Sequence, residues 1–228
     1  MKIQWLGQAG LCLTDDVKTI LVDPWLEGNP TAKVQWDELN ADMIILTHGH
    51  FDHVGDTVKI AKRTGAVVIA QNELSLELEA EGLKNVIGPS IGGTVEFEGG
   101  WGWVKYVPAI HSSVSNKGNV SAPAGVIIHF GGKTIYDLGD TALFSDLALH
   151  KARYALDVMI VPIGGFYTMD QIDAVEAVRL VGAPIVIPFH YNTFPLIQAD
   201  PHKFARDVAA QVPGARVEVL DPNETLTI

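Results

Sequence analysis

Three imidazoles and a carboxylate stand within six consecutive positions, at His48, His50, Asp52 and His53, directly after the wholly apolar run 43–46. No other feature limits the fold so tightly. An uninterrupted apolar run of that length reads as a strand buried on both faces. The polar cluster therefore emerges where the chain leaves a covered sheet. Unpaired polar groups there would cost desolvation with no return, so the residues must find partners. Neutral imidazole nitrogen is a good ligand for borderline divalent metals, and a carboxylate adds charge neutralisation. Residues two apart in extended backbone point the same way, so His48 and His50 can share one metal. Asp52 and His53 lie where the chain turns into a helix and can face a different point. One short loop can thus supply ligands to two metals.

The surrounding pattern is α/β. Short strands are expected at 2–6, 11–14 and 19–22, with turns at Gly10 and at Asp15-Asp16. A helix is expected from about Asp52 to just before Gly65, then a strand at 66–70 and a helix near 74–80. The middle reads as strands at 94–98, 103–110, 126–130 and 134–136, with Gly131-Gly132 as a hairpin signal. The small, polar stretch 112–123 reads as a loop that can sit over a site. Beyond it helices are expected near 142–151, 171–181 and 201–210, with Asp170 as an N-cap. Strands are expected at 158–161, 185–187 and near 217–220. Strands first, then strand–helix alternation, point to two sheets with helices outside.

The chain has 228 residues, 47% of them hydrophobic and 19% charged, which suits a single domain over 1–228 with a large core. Sixteen basic against twenty-seven acidic residues give a net charge of −11. That sign disfavours a long nucleic acid, while bound cations would still admit a small anion. Cys12 is the single cysteine, so neither an intrachain disulfide nor a thiolate zinc cluster is expected. The N-terminus alternates like a strand and shows no signal-peptide core. No apolar run approaches the ~20 residues that span a bilayer. The expectations are a cytoplasmic protein, no membrane partner and a small-molecule substrate, with a homo-oligomer left open.

His48-x-His50-x-Asp52-His53 resembles the signature of the metallo-β-lactamase superfamily. The resemblance runs over nearly the whole chain and implies an α/β four-layer αβ/βα sandwich, two mixed β-sheets flanked by helices, with metals at one edge between the sheets. The remaining family positions fall on His111 after a strand, Asp140 in Tyr136-Asp137-Leu138-Gly139-Asp140-Thr141, and His190 after 185–189. The resemblance implies that His48, His50 and His111 hold a first metal, that Asp52, His53 and His190 hold a second, and that Asp140 bridges them. Asp23 fits the position that braces the histidine loop, but reads equally as a turn residue before Pro24. His129, His150 and His202 fall inside elements and read as structural. The segments 162–165, 168–169 and 188–195 look like a branch of metal-dependent hydrolases related to the ascorbate-6-phosphate lactonases. Gln8 departs from that branch, where a histidine is common.

The implied cofactors are two divalent metal ions, with zinc the first expectation and manganese, iron or nickel compatible. A divalent metal lowers the pKa of bound water toward ~7. The implied activity is hydrolysis of a small ester, lactone, amide or phosphodiester by a metal-bridging hydroxide. Asp52 is the expected catalytic carboxylate, besides being a ligand. Tyr167, Tyr191 and Asn192 are expected to donate hydrogen bonds to substrate, and Phe51 to form an apolar wall. Trp25 and Trp101 read more as core. Three other readings stand beside this one: a nuclease or phosphodiesterase, a di-iron redox protein, and a non-catalytic metal-binding scaffold. The acidic, compact chain and the full ligand set argue against them.

Overall fold

Neighbouring residues in the first strands enter different cores. Ile20, Val22, Met43 and Ile45 join one apolar cluster, whereas Leu21, Ile44 and Leu46 join another. That is the period of two of a strand covered on both sides, and it explains why the sequence there shows no polar face. The structure, a computed structural model, describes all 228 residues.

The strands in chain order are β1 (Lys2–Gly7), β2 (Gly10–Thr14), β3 (Thr19–Val22), β4 (Met43–Ile45), β5 (Val67–Ile69), β6 (Val86–Ile87) and β7 (Thr94–Glu96). They continue with β8 (Gly102–Pro108), β9 (Ala124–Phe130), β10 (Lys133–Asp137), β11 (Val158–Pro162), β12 (Ile185–Phe189), β13 (Arg216–Val217) and β14 (Thr225–Thr227). The helices are α1 (Phe51–Val54), α2 (Thr57–Thr64), α3 (Asn72–Ala80), α4 (Ala148–Arg153), α5 (Gln171–Val181) and α6 (Pro201–Gln211).

Two seven-stranded mixed sheets result, in the orders β14-β1-β2-β3-β4-β5-β6 and β13-β12-β11-β10-β9-β8-β7. Ile60 and Ala61 of α2 and Leu74 and Leu78 of α3 cover the outer face of the first sheet. Ala174 and Val178 of α5 and Phe204 and Val208 of α6 pack into the large core with the second. Between the sheets, the Tyr106 hydroxyl of β8 lies 3.0 Å from the Leu46 carbonyl and 2.9 Å from that of Ile69. A fully buried tyrosine of one sheet is thereby anchored at the ends of two strands of the other. This is the expected four-layer sandwich.

Several local expectations hold. Gly131 and Gly132 have φ of 56° and 73°, the double positive φ of a two-residue hairpin turn, and join Phe130 to Lys133 in register. The Asp170 carboxylate accepts from the amides of Ile172 and Asp173 at the start of α5.

Others need correction. The single helix expected from Asp52 to Gly65 is two, because the chain breaks at Gly55-Asp56. Gly55 sits against the backbone of Pro24 and Trp25, where a Cβ would lie 2.4 Å from the Trp25 Cα, and the Asp56 carboxylate accepts from the amides of Leu26 and Glu27. The helix expected from 142 starts instead at Ala148, because the backbone before it is committed elsewhere: the Ala142 amide donates to Ile110 and the Thr141 carbonyl accepts from Met169. The strand expected at 217–220 is the short β13. β14 and β6 were not expected at all, and β14 pairs antiparallel with β1.

Candidate metal centre

The chain leaves β3, β4, β10 and β12 along one edge, with Asp23, the His48–His53 loop, Asp140 and His190 respectively beyond the strand ends. β3 runs parallel to β4, and β10, β11 and β12 run parallel to one another. Carboxyl ends of parallel strands open onto a crevice, the common place for a ligand in α/β folds. The chain turns abruptly at several of these exits. Asp23 and His190 adopt φ of 45° and 55°, and Gln8, between β1 and β2, one of 50°. Non-glycine residues take such angles only under constraint from their surroundings.

All seven expected ligands converge. His48, His50, His111 and Asp140 form one group whose donor atoms lie within 4.8 Å of one another, and Asp52, His53 and His190 form another. Asp140 joins the two. Its Oδ2 is 3.4 Å from His111 Nε2 and 3.1 Å from His190 Nε2, and its Oδ1 is 3.5 Å from His53 Nε2. Five of the seven, His48, Asp52, His53, Asp140 and His190, are buried, His48 and His53 fully so, while His50 and His111 are partly exposed. The donor set is all imidazole and carboxylate, the chemistry of borderline divalent ions.

The buried polar atoms tell the same story. His53 Nε2, His190 Nε2 and Asp140 Oδ1 have no hydrogen-bond partner. Buried polar atoms are rarely left without one, and three together, aimed at one space, fit cations held among them.

A third group, Asp23, His48 and His53, is also within ligand spacing, but Asp23 is already committed. Its Oδ1 accepts from the Thr47 amide at 2.9 Å, and its Oδ2 from the Thr47 hydroxyl at 2.5 Å and from His53 Nδ1 at 2.7 Å. This settles the choice left open by the sequence. Asp23 holds the Nδ1 side of the His53 ring and leaves Nε2 facing Asp52 and Asp140, the usual place of a carboxylate behind a ligating histidine.

The electrostatics divide the imidazoles. Burial holds His48 well below its ordinary value, with the neighbouring His53 adding to the effect, and burial likewise lowers His50 and His111. These rings stay neutral, the form that ligates a metal, and His48 Nε2 and His50 Nδ1 share a hydrogen bond at 2.9 Å that an ion would replace. Burial also opposes charge on His53 and His190, but carboxylates outweigh it, Asp140 foremost. His53 is raised well above its ordinary value and His190 is pushed up to about 9. Asp140 and Asp52, despite burial, are held low by the adjacent histidines. Without a divalent ion, protons on His53 and His190 balance the carboxylates, and a cation would take their place. Metal added to the metal-free protein at pH 7 is therefore expected to release protons, with affinity rising up to tenfold per pH unit, per displaced proton, toward pH 9. Calorimetry in buffers of different ionisation enthalpy measures this, and binding without proton release would contradict it.

Gln8 proves to be part of the site. Its Nε2 donates to Asp52 Oδ2 at 2.9 Å, and its backbone carbonyl accepts from the His190 amide and from Trp5 Nε1. One residue thus holds two ligand-bearing segments, with a side-chain amide where a histidine was the usual expectation.

The expected substrate contacts fare unequally. Tyr167 is half-exposed and lines a cavity of about 690 Å³ with Asp52, Asp140 and His190. Tyr191 and Asn192 do not line it. Tyr191 is buried and stacks on Trp5 at 5.3 Å. Asn192 closes its own loop, bonding the carbonyl and the amide of Ala199. Phe51 does line the cavity, while Trp101 is partly buried and packs against Phe97 and Phe130 of the core. His129 stacks on Trp103 and His150 lies edge-on to Tyr136, so both are structural as expected. Within 112–123, Ser112 lines the cavity and the Ser113 hydroxyl accepts from the Gly49 amide. Glu77 of α3 binds the loop's Ser115 and Asn119. Sequence reasoning did not assign Phe194, Pro195 and Leu196 to the cavity they line, although the first two fall in the family-like segment 188–195.

Residues 18–191 match the β-lactamase superfamily domain. A UPF0173 metal-dependent hydrolase of Shouchella clausii is 41% identical, with the whole of both chains covered. Another of Thermus thermophilus is 42% identical over all of this chain and 99% of its own. Among solved structures, Igni18, a metallo hydrolase from the hyperthermophilic archaeon Ignicoccus hospitalis, superposes with a TM-score of 0.89 at 36% identity, over 99% of this chain and 97% of the other.

Proposed function

The chain belongs to the β-lactamase superfamily and, within it, to the UPF0173 metal-dependent hydrolases, and from that membership we propose that it uses two divalent ions to hydrolyse a small ester, lactone or amide. The observation that supports a pair of ions is the reach of Asp140 to ring nitrogens of both ligand groups at 3.1–3.5 Å. His48, His50 and His111 would hold one ion, and Asp52, His53 and His190 the other, with zinc the first expectation. When bound, such ions supply a Lewis acid and water acidified toward neutrality.

The rest of the work falls to the chain. The tethers from Asp23 to His53 and from Gln8 to Asp52 and His190 hold the ligands in place before substrate arrives. Asp52 lines the cavity and stays ionised, so its carboxylate can accept a hydrogen bond from the attacking water and carry a proton toward the leaving group. Tyr167 stands at the same cavity and can donate its hydroxyl to the substrate. Ser113, whose hydroxyl accepts from the Gly49 amide, ties the 112–123 loop to the histidine loop.

Hydrolysis of p-nitrophenyl acetate and a lactone panel by the zinc- or manganese-loaded protein tests this. Activity is expected, with loss on chelation and recovery on re-addition of metal. Asp52→Asn is expected to lower kcat by roughly 10²–10⁴-fold. Metal-loaded protein that leaves the whole panel intact would overturn the proposal.

A further inference from the structure

The cavity over the metal ligands has a one-sided chemistry. Beyond the ligands it is bordered by Phe51, Tyr167, Phe194, Pro195 and Leu196, together with Ser112, and neither lysine nor arginine lines it. Phe51, Tyr167 and Leu196 are 48%, 50% and 55% exposed. Large apolar side chains left open side by side in a concave site favour an apolar ligand that covers them. The wall is also built. Trp25, itself buried, meets Phe51 edge-on at 5.4 Å and stacks on Phe194 at 5.8 Å, which holds both rings at the cavity.

Charge points the same way. Any positive charge supplied by metal ions would sit at the reacting centre, among Asp52, Asp140 and the histidines. Past that centre the lining offers a substrate mostly carbon, with the Ser112 and Tyr167 hydroxyls but no cation, on a chain of net charge −11. A terminal carboxylate or phosphate placed there would lose its hydration and gain no cation in return. A cavity of about 690 Å³ is ample for a medium-length alkyl or aryl group.

We propose that the substrate is uncharged outside its scissile bond and carries an apolar group that lies against Phe51, Phe194 and Leu196. This rests on the hydrolase reading above and adds to it the class of substrate. The reaction is ordinary hydrolysis: water adds its oxygen to the acyl carbon, the acyl–oxygen or acyl–nitrogen bond breaks, and the leaving group takes a proton.

Two readouts test it. The first is kcat/KM of the metal-loaded protein for p-nitrophenyl esters from acetate to hexanoate, and for mono-p-nitrophenyl adipate, which matches the hexanoate in length but ends in a carboxylate. A rise of about two- to fourfold per methylene is expected, with the adipate at least tenfold below the hexanoate. Leu196→Lys is expected to narrow or invert that last ratio. The second readout is binding of 2-octanone, an uncharged ketone that is not hydrolysed, to the metal-free protein by ligand-observed NMR and tryptophan fluorescence. It is expected to bind more tightly than octanoate, and Phe194→Ala is expected to weaken it at least tenfold. No chain-length dependence, or an adipate as good as the hexanoate, would overturn the proposal. So would 2-octanone binding that Phe194→Ala leaves unchanged. If every ester stays intact while 2-octanone binds as expected, the hydrolase reading fails and the cavity's preference stands.

Discussion

Asp140→Asn is expected to remove at least about 10²–10³-fold of the hydrolytic activity, the scale on which single electrostatic stabilisers act in active sites, and to weaken the hold on both ions together. The carboxylate is 2% exposed and lies within 3.5 Å of ring nitrogens from His53, His111 and His190. It is also the foremost carboxylate in raising His53 and His190. The asparagine has the same shape, so packing is kept while the charge and one acceptor are lost. With the bridge neutralised, the two ligand groups no longer share an anion between them. Metal content by elemental analysis and kcat/KM for an ester substrate measure the effect, and a circular dichroism melt checks that the fold persists. A folded variant with full metal content and near-normal turnover would show that Asp140 does not link the two groups.

Asp23→Asn is the second large effect, and it acts without touching the cavity. The carboxylate is fully buried and accepts from the Thr47 amide, the Thr47 hydroxyl and His53 Nδ1. An amide has one oxygen, and its NH2 group would face at least one of these donors. His53 would lose its fixed tautomer, and a buried donor would be left without an acceptor. A cost of 10- to 100-fold in metal affinity is expected, along with about 1–3 kcal/mol of stability. Competitive chelator titration and urea unfolding of the metal-free protein separate the two terms. Unchanged metal affinity would mean that Asp23 is only a turn residue.

The sequence disclosed those parts of the site whose chemistry is local. His48, His50, Asp52 and His53 are four ligands in six positions behind a buried strand, and their crowding is visible without any fold. His111, Asp140 and His190 are single residues after strands, and only their order along a resembling family marked them. What stayed hidden depended on contacts far along the chain. The break between α1 and α2 is set by Pro24 and Trp25, some thirty residues away, against which Gly55 must fit. β14 alternates exposed and half-buried residues, so its short stretch carries little hydrophobic signal, and it forms because β1 has a free edge.

The misplaced substrate contacts have a backbone cause. Tyr191 and Asn192 were expected at the cavity because they follow closely on the end of β12. His190 takes φ of 55° and Asn192 of 60°, and left-handed residues break the period of two. Tyr191 turns in to Trp5, while Phe194, Pro195 and Leu196 swing round to line the cavity. Gln8 shows the converse. Its identity was read as a departure, yet its amide reaches Asp52 because the β1–β2 turn, also left-handed at Gln8, brings the side chain back over the site.

Anomalous diffraction from crystals of the metal-loaded protein, with elemental analysis of the same sample, bears most directly on the central claim. Two peaks are expected, one among His48, His50 and His111 and one among Asp52, His53 and His190, with the Asp140 carboxylate between them and about two ions per chain in solution. A single ion per chain, or density centred on Asp23, His48 and His53, would contradict it.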